Sequence, residues 1–115
     1  MSSKLTFLVL LVVAFSVAVP GAYSCVTFEA LYADVPRSPT TIVGTLFDNI
    51  GEVCSYFGPL GGDGLYDFGC IAGFSASLTP STGFVQYATP AGSFPFVAPY
   101  VDNIGWQTCQ FGCSC

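Results

Sequence analysis

The sequence contains no histidine and only two basic residues, Lys4 and Arg37. Without histidine the chain has no Ser-His or Cys-His nucleophile pair and no imidazole metal ligand. Binding of nucleic acid requires clustered lysine and arginine side chains that displace counterions from phosphates, so we expect no nucleic acid partner. Anionic lipid headgroups are disfavoured for the same reason. We therefore predict a protein that is not an enzyme, with no catalytic residues, no metal and no cofactor.

The acidic residues offer two pairs that lie four positions apart. Asp63 and Asp67 fall in a glycine-rich segment, but calcium prefers six to eight oxygen ligands and no EF-hand pattern is present. A surface turn shaped by aspartate side chains is the favoured interpretation. Asp48 and Glu52 suit a general acid/base pair by spacing alone. We expect them instead to be solvated charges on the polar side of a helix.

Residues 1–24 have the organisation of a signal peptide. Lys4 supplies the positive charge, residues 5–19 are mostly apolar, and small residues at Ala22 and Ser24 fit a cleavage site after Ser24, with Gly21 as the second choice. A membrane-spanning helix needs about 20 apolar residues, so we expect no stable membrane anchor. The expected product is a single secreted domain, residues 25–115, whose net charge moves from -5 to -6 with the loss of Lys4.

The cysteine count predicts a disulfide framework. An even number in an exported chain of this size indicates three bridges, with fifteen conceivable connectivities. The last seven residues, 109–115, form a tail that contains three of the cysteines. These cysteines and Phe111 lie at every second position, so in an extended segment their side chains point to one face. If no bridge forms within the tail, each tail cysteine pairs with one of the three upstream cysteines, and six connectivities remain open. The expected disulfide residues are Cys25, Cys54, Cys70, Cys109, Cys113 and Cys115.

The clearest secondary-structure pattern predicts a helix between Pro39 and Gly58. Ser38 is a suitable N-cap, Pro39 fits the first helical position, and Gly58 followed by Pro59 fits the end. Apolar residues recur at three-and-four spacing between these ends. The stripe consists of Ile42, Val43, Leu46, Phe47, Ile50, Val53, Cys54 and Phe57. Gly44 is not part of the stripe, and the helix gives no reason for its presence.

Alternating segments predict strands on either side of this helix. We expect a first strand from Val26 to Tyr32, a stronger one over residues 68–78, and two more over 84–88 and 94–98. Pro95 and Pro99 place the last of these at an edge, because proline donates no ladder hydrogen bond. The predicted fold class is α+β, with one helix packed on an antiparallel sheet of four to five strands and stapled by disulfides.

Aromatic residues make up 16% of the chain and are the feature most open to a functional interpretation. Their amphipathic rings suit a surface that stacks on sugars or fills a partner's pocket. The alternative is that most of them line the small core. The candidate binding residues are Tyr56, Tyr66, Tyr87, Tyr100 and Trp106. Trp106 is the preferred surface anchor.

The overall organisation resembles the small secreted cysteine-rich proteins of fungi, including effectors and killer-toxin-like proteins. The resemblance rests on the signal peptide, the short mature chain, Cys25 near its start, and the terminal pattern of Cys109, Cys113 and Cys115. It implies an effector-like protein that binds an extracellular protein or polysaccharide. A membrane-active toxin or antimicrobial protein and a carbohydrate-binding module are the alternatives. The acidity argues against the toxin, because attack on anionic bilayers usually uses a basic surface.

Overall fold

The described chain is built from antiparallel strands. The computed structural model describes residues 25–49 and 51–113, and no helix occurs among them. None of these residues therefore forms a helix that could cross a membrane. The predicted signal peptide lies outside the described residues. The strands are β1 Val26–Tyr32, β2 Ile42–Asp48, β3 Gly51–Gly58, β4 Tyr66–Cys70, β5 Ser75–Thr79, β6 Phe84–Thr89, β7 Gly92–Ser93, β8 Phe96–Val97, β9 Tyr100–Val101 and β10 Gly105–Gln110.

The strands form one sheet in the order β7-β6-β5-β4-β3-β2-β1-β10-β9, and β8 pairs with β6 beside this path. The first strand is paired on both edges, with β2 on one side and β10 on the other. Ala30 in β1 lies opposite Gly44 in β2 and opposite Trp106 in β10. The most N-terminal described strand thus lies inside the sheet, beside the most C-terminal one.

The sheet curls until its two halves face each other across a shared core. The Phe28 ring of β1 lies 5.8 Å from the Phe96 ring of β8, and Tyr66 of β4 lies 6.1 Å from Trp106 of β10, measured between ring centroids. Core residues come mainly from alternate positions of each strand, as the pleat requires. The buried apolar residues are Val26, Phe28, Ala30, Ile42, Leu46, Val53, Cys54, Tyr66, Phe68, Ala76, Leu78, Val85, Tyr87, Phe96, Ala98 and Trp106.

The predicted helix between Pro39 and Gly58 is wrong, because the segment forms the β2–β3 hairpin. In β2, buried and more exposed residues alternate along the strand. Ile42 and Leu46 are buried with Gly44 between them. The spacing of four between the two apolar residues resembles a helical turn only because glycine contributes no apolar side chain. The fold class is therefore all-β, not a helix packed on a small sheet.

A β-bulge in β3 is the second reason why the segment has apolar residues at helix-like spacing. Leu46 pairs with Cys54 but the next residue, Phe47, pairs with Glu52, so Val53 is an extra residue in β3. Val53 and Cys54 are consequently both buried, although they are neighbours in sequence. Two consecutive buried residues are typical of a helix stripe and break the alternation expected of a regular strand.

The two glycines within this segment serve the hairpin. A Cβ atom on Gly44 would lie 2.6 Å from Cζ of Phe68, so the aromatic ring occupies the space above the glycine. Gly51 opens β3 with φ at 115°, a backbone conformation that side chains rarely allow. Gly44, unexplained by a helix, is a packing requirement of the sheet.

Other strand predictions hold with adjusted boundaries. The first strand is confirmed as β1, and the segment 84–88 is confirmed within β6. The predicted strand over 68–78 is two strands, because a turn with a hydrogen bond from the Phe74 amide to the Ile71 carbonyl separates β4 from β5. The segment 94–98 contains the short β8, which lies at an edge and pairs with β6 alone.

The disulfides differ from the pairing scheme expected for the tail. Cys25 bonds to Cys113, with 4.6 Å between their Cα atoms, and this bridge joins the start of β1 to the turn after β10. Cys54 bonds to Cys70, its direct neighbour across β3 and β4, with Cα atoms 4.0 Å apart. The expectation that every upstream cysteine pairs with the tail is therefore wrong. Cys109 is also disulfide-bonded.

The tail follows the extended prediction only as far as β10. Gln110 is the last residue of the strand, and Phe111 has φ at 58°. This left-handed residue turns the chain, so that Cys113 reaches Cys25 instead of continuing along one face with Cys109. Cys115 lies outside the described residues.

Candidate binding surfaces

Asp48 is a buried carboxylate, contrary to the expectation of a solvated one. It is 5% exposed and accepts a hydrogen bond of 2.6 Å from the Tyr87 hydroxyl. Burial, and then this contact with Asp48, raises the pKa of Tyr87 well above its usual value. The bond ties the end of β2 to β6 on the opposite half of the sheet. Glu52 is exposed, so the two acidic residues do not share an environment as an acid/base pair would.

In the second acidic pair, Asp63 lies in the predicted surface turn and Asp67 in β4. Asp63 accepts a hydrogen bond of 3.0 Å from the Leu65 amide, which is the geometry of an Asx turn. A hydrogen bond between the carboxyl groups of Asp63 and Asp67 lowers the pKa of Asp63 and raises that of Asp67. The described residues contain no group of three or more metal-ligating side chains.

Three of the five candidate surface aromatics lie in the core. Tyr66, Tyr87 and Trp106 are each no more than 2% exposed, so the preference for Trp106 as a surface anchor is wrong. Trp106 is buried because β10 pairs with β1 and directs the indole between the sheet halves. Its indole N–H finds no acceptor among the described residues. Tyr56 is half-buried, and its hydroxyl donates to the Pro59 carbonyl at 2.5 Å.

The buried rings support an exposed one. Tyr66 contacts Trp106, and Trp106 in turn lies 5.0 Å from Tyr100 and 5.5 Å from Tyr32 between ring centroids. Tyr100 is 48% exposed, and it is the only one of the five candidates that presents a large part of its ring to solvent. Desolvation by burial raises the pKa of Tyr66. One end of the core therefore reaches the surface as a platform of aromatic rings tilted against one another.

A groove of about 410 Å³ lies beside this platform, and we call it the tyrosine groove. Its lining includes Tyr32, Asp34, Arg37 and Asn103. Tyr100 does not line the groove but lies next to two residues that do: its hydroxyl is 3.4 Å from the Tyr32 hydroxyl and accepts a 3.4 Å hydrogen bond from the Asn103 amide. Burial, then the hydrogen bond to Tyr100, raises the pKa of Tyr32 to about 12. The groove combines an aromatic surface with a carboxylate, a guanidinium and an amide.

A second candidate surface is the outward face of β1, β2 and β3. Leu31 pairs with Val43, and Val43 pairs with Phe57, so the three side chains form one row across the strands. We call this row the outer-face strip. Val43 is 47% exposed and Phe57 is 72% exposed. The strip is apolar and points away from the core that the alternate residues fill.

Next to the strip runs a row of polar residues. Glu29 lies opposite Thr45 on one side and opposite Gln107 on the other, and Thr45 lies opposite Ser55. Glu29, Thr45, Gln107 and the exposed Phe47 border a groove of about 260 Å³. The face therefore carries one apolar row beside one polar row, and Glu29 is the charged residue of the polar row.

Sequence reasoning missed both surfaces for different reasons. Val43 and Phe57 belonged to the predicted helix stripe, which assigned them to the core. The strict alternation through β2 is the signal that would have placed them outside. The groove residues Arg37 and Asn103 carry little signal, although both adopt left-handed backbone conformations, with φ at 67° and 68°.

Comparison with known proteins returned no matching family model, curated protein or solved structure.

Proposed function

We propose that this is a secreted, disulfide-stabilised protein that acts by binding another extracellular protein, without catalytic turnover. The disulfides indicate an oxidising environment of the extracellular type. Export through the predicted signal peptide accounts for that environment. The resemblance to effector-like secreted proteins of fungi supports the same proposal.

The outer-face strip is the observation that carries the proposal. Single exposed apolar residues are ordinary on protein surfaces, but a contiguous apolar row bordered by polar residues is typical of an interaction site. Phe57 projects from β3, whose next strand is held by the Cys54–Cys70 bridge. A rigid aromatic side chain loses little conformational entropy on binding, which suits it to anchor a partner.

The polar row favours a protein partner over a lipid bilayer. A membrane-binding surface usually combines apolar residues with lysine or arginine, whereas this face carries Glu29 beside the strip. Threonine, serine and glutamine side chains there offer the hydrogen bonds of an interface rim.

The test starts from the purified protein with its disulfides intact. Crosslinking in an extracellular extract identifies a partner by mass spectrometry, and surface plasmon resonance then measures the affinity for that purified partner. We expect Phe57→Ser to weaken binding by at least about tenfold, the effect of losing one aromatic anchor. Val97→Ser is the matched control, because Val97 is 53% exposed on β8 in the other half of the sheet.

Equal binding by the wild type and Phe57→Ser would contradict the proposal, as would an equal loss in the Val97→Ser control. If the protein binds no protein partner but releases dye from loaded vesicles at the same concentrations, the membrane-active alternative is favoured instead.

A further inference from the structure

The tyrosine groove has a balanced set of polar groups. Asp34 contributes an acceptor with negative charge, Arg37 contributes donors with positive charge, and Asn103 contributes both a donor and an acceptor. Asp34 and Arg37 carry opposite charges. Asp102 lies close enough to Tyr32 to help raise its pKa, so the local balance is negative and disfavours an anionic ligand. The groove favours a neutral ligand that carries many hydroxyl groups, since each hydroxyl donates and accepts.

The backbone around the groove is ordered by its own hydrogen bonds. The Tyr32 amide donates to the Ile104 carbonyl at 2.9 Å, and the Ala33 amide donates to the Thr41 carbonyl at 2.8 Å. Within the β1–β2 connection, the Ser38 amide donates to the Val35 carbonyl at 3.1 Å. A loop fixed in this way lowers the ordering cost of binding.

Two turns direct side chains into the groove. Arg37 lies in the turn of the β1–β2 connection and Asn103 in the turn between β9 and β10, and both adopt left-handed backbone conformations. Such conformations are usual for asparagine in tight turns. The two turns therefore bring the guanidinium and the amide to the same groove.

The aromatic wall supplies an apolar surface of sugar-ring size. Tyr100 exposes 48% of its surface, and its ring packs against Trp106, so the contact with Trp106 holds the exposed ring in place. A pyranose ring has one face of C–H groups that packs on such a ring, while its hydroxyls reach the polar groups at the rim.

We propose that the tyrosine groove binds a neutral oligosaccharide, with one pyranose ring stacked on Tyr100 and its hydroxyls hydrogen-bonded by Asp34, Arg37 and Asn103. The volume of about 410 Å³ lies within the usual range for small-ligand sites, roughly 300 to 1,000 Å³. The groove shares no residue with the outer-face strip, so this inference goes beyond the proposed protein partner and stands or falls separately.

Isothermal titration calorimetry of the disulfide-intact protein tests the inference. The probes are the hexaoses of laminarin, cellulose, chitin and mannan, with a galacturonic acid hexamer as the anionic comparison. We expect at least one neutral hexaose to bind, and to bind more tightly than the anionic hexamer. Tyr100→Ala should weaken that binding at least about tenfold, whereas Tyr100→Phe, which keeps the ring, should change it less than about threefold.

Asp34→Ala should also weaken the binding, by about fivefold to tenfold, because a hydrogen bond to a charged acceptor is lost. Phe57→Ser, on the separate outer-face strip, should leave sugar binding unchanged. Failure of every neutral hexaose to bind would overturn the inference, as would binding that Tyr100→Ala leaves intact. Tighter binding of the galacturonic acid hexamer would overturn the assignment of a neutral ligand.

Discussion

Replacement of Gly44 by alanine is expected to destabilise the protein. The new Cβ atom would lie 2.6 Å from Cζ and 2.7 Å from Cε2 of Phe68, well inside van der Waals contact. The Phe68 ring has little room to move, because Phe28 and Tyr56 each lie 5.5 Å from it between ring centroids. Overpacking of this kind costs about 1 to 3 kcal/mol of unfolding free energy.

The sign of the change in unfolding free energy distinguishes the observed sheet from the predicted helix. In a helix interior, Gly→Ala would stabilise the protein by about 1 kcal/mol, since alanine is the better helix former. In β2, the contact with Phe68 reverses that sign. Gly62→Ala is the matched control, because no atom lies within 4 Å of a Cβ built there, and its effect should be close to zero.

The assay is urea unfolding of the oxidised protein, followed by the fluorescence of its single tryptophan, Trp106. In a domain of this size, each 1 kcal/mol also corresponds to about 4 to 8 °C in the melting temperature. Combining Gly44→Ala with Phe68→Leu should recover part of the loss, because the smaller side chain vacates the space. A Gly44→Ala protein as stable as the wild type, or more stable, would refute the packing argument.

Two further predictions concern the disulfides and alkaline pH. Loss of the Cys25–Cys113 bridge by paired serine substitution should cost about 1.5 kcal/mol more than loss of Cys54–Cys70, because the sequence separations are 88 and 16 and loop entropy grows with the logarithm of length. Urea unfolding of both variants measures this, and a larger cost for the shorter loop would contradict it. The pKa of Tyr32 is raised from 10.0 to about 12, so its contribution to stability is fully present below pH 10 and is lost as the pH rises toward 12. The urea midpoint should decrease from about pH 9 to about pH 11, and this decrease should be smaller in Tyr32→Phe than in the wild type. An equal decrease in both proteins would count against Tyr32 as a source of the pH dependence.

Local alternation was enough to predict several strands. In β1, buried Val26, Phe28 and Ala30 alternate with more exposed residues, and the strand was located correctly. In the β2–β3 hairpin, Gly44 removed one inward apolar side chain from the pattern, and the bulge at Val53 added a second consecutive buried residue. Both changes shift a period of two toward the spacing of a helix, so periodicity alone selected the wrong element.

The candidate sites depended on that element. If the segment between Pro39 and Gly58 is interpreted as a helix, Phe57 belongs to the buried stripe of that helix. The outer-face strip cannot then be predicted. The burial of Trp106 could not be predicted from the sequence either, because it follows from the pairing of β1 with β10, and these strands are far apart in sequence. The tyrosine groove likewise brings together Tyr32 from β1 and Asn103 from the turn before β10. Only long-range topology places these residues side by side.

The position of β1 within the sheet fixes the order in which the protein is completed. During synthesis, β1 emerges first and finds β2 soon afterwards, but its other edge stays open until β10 has left the ribosome. Ala30 faces Trp106 across that late pairing, and the bridge from Cys25 must wait for Cys113. Contacts between the two ends of a chain form slowly, and an open strand edge invites pairing with other chains. Loss of β10 would therefore remove the partner from one edge of β1 and detach the two-residue β9, which pairs with β10, so β1 would become an edge strand open to other chains.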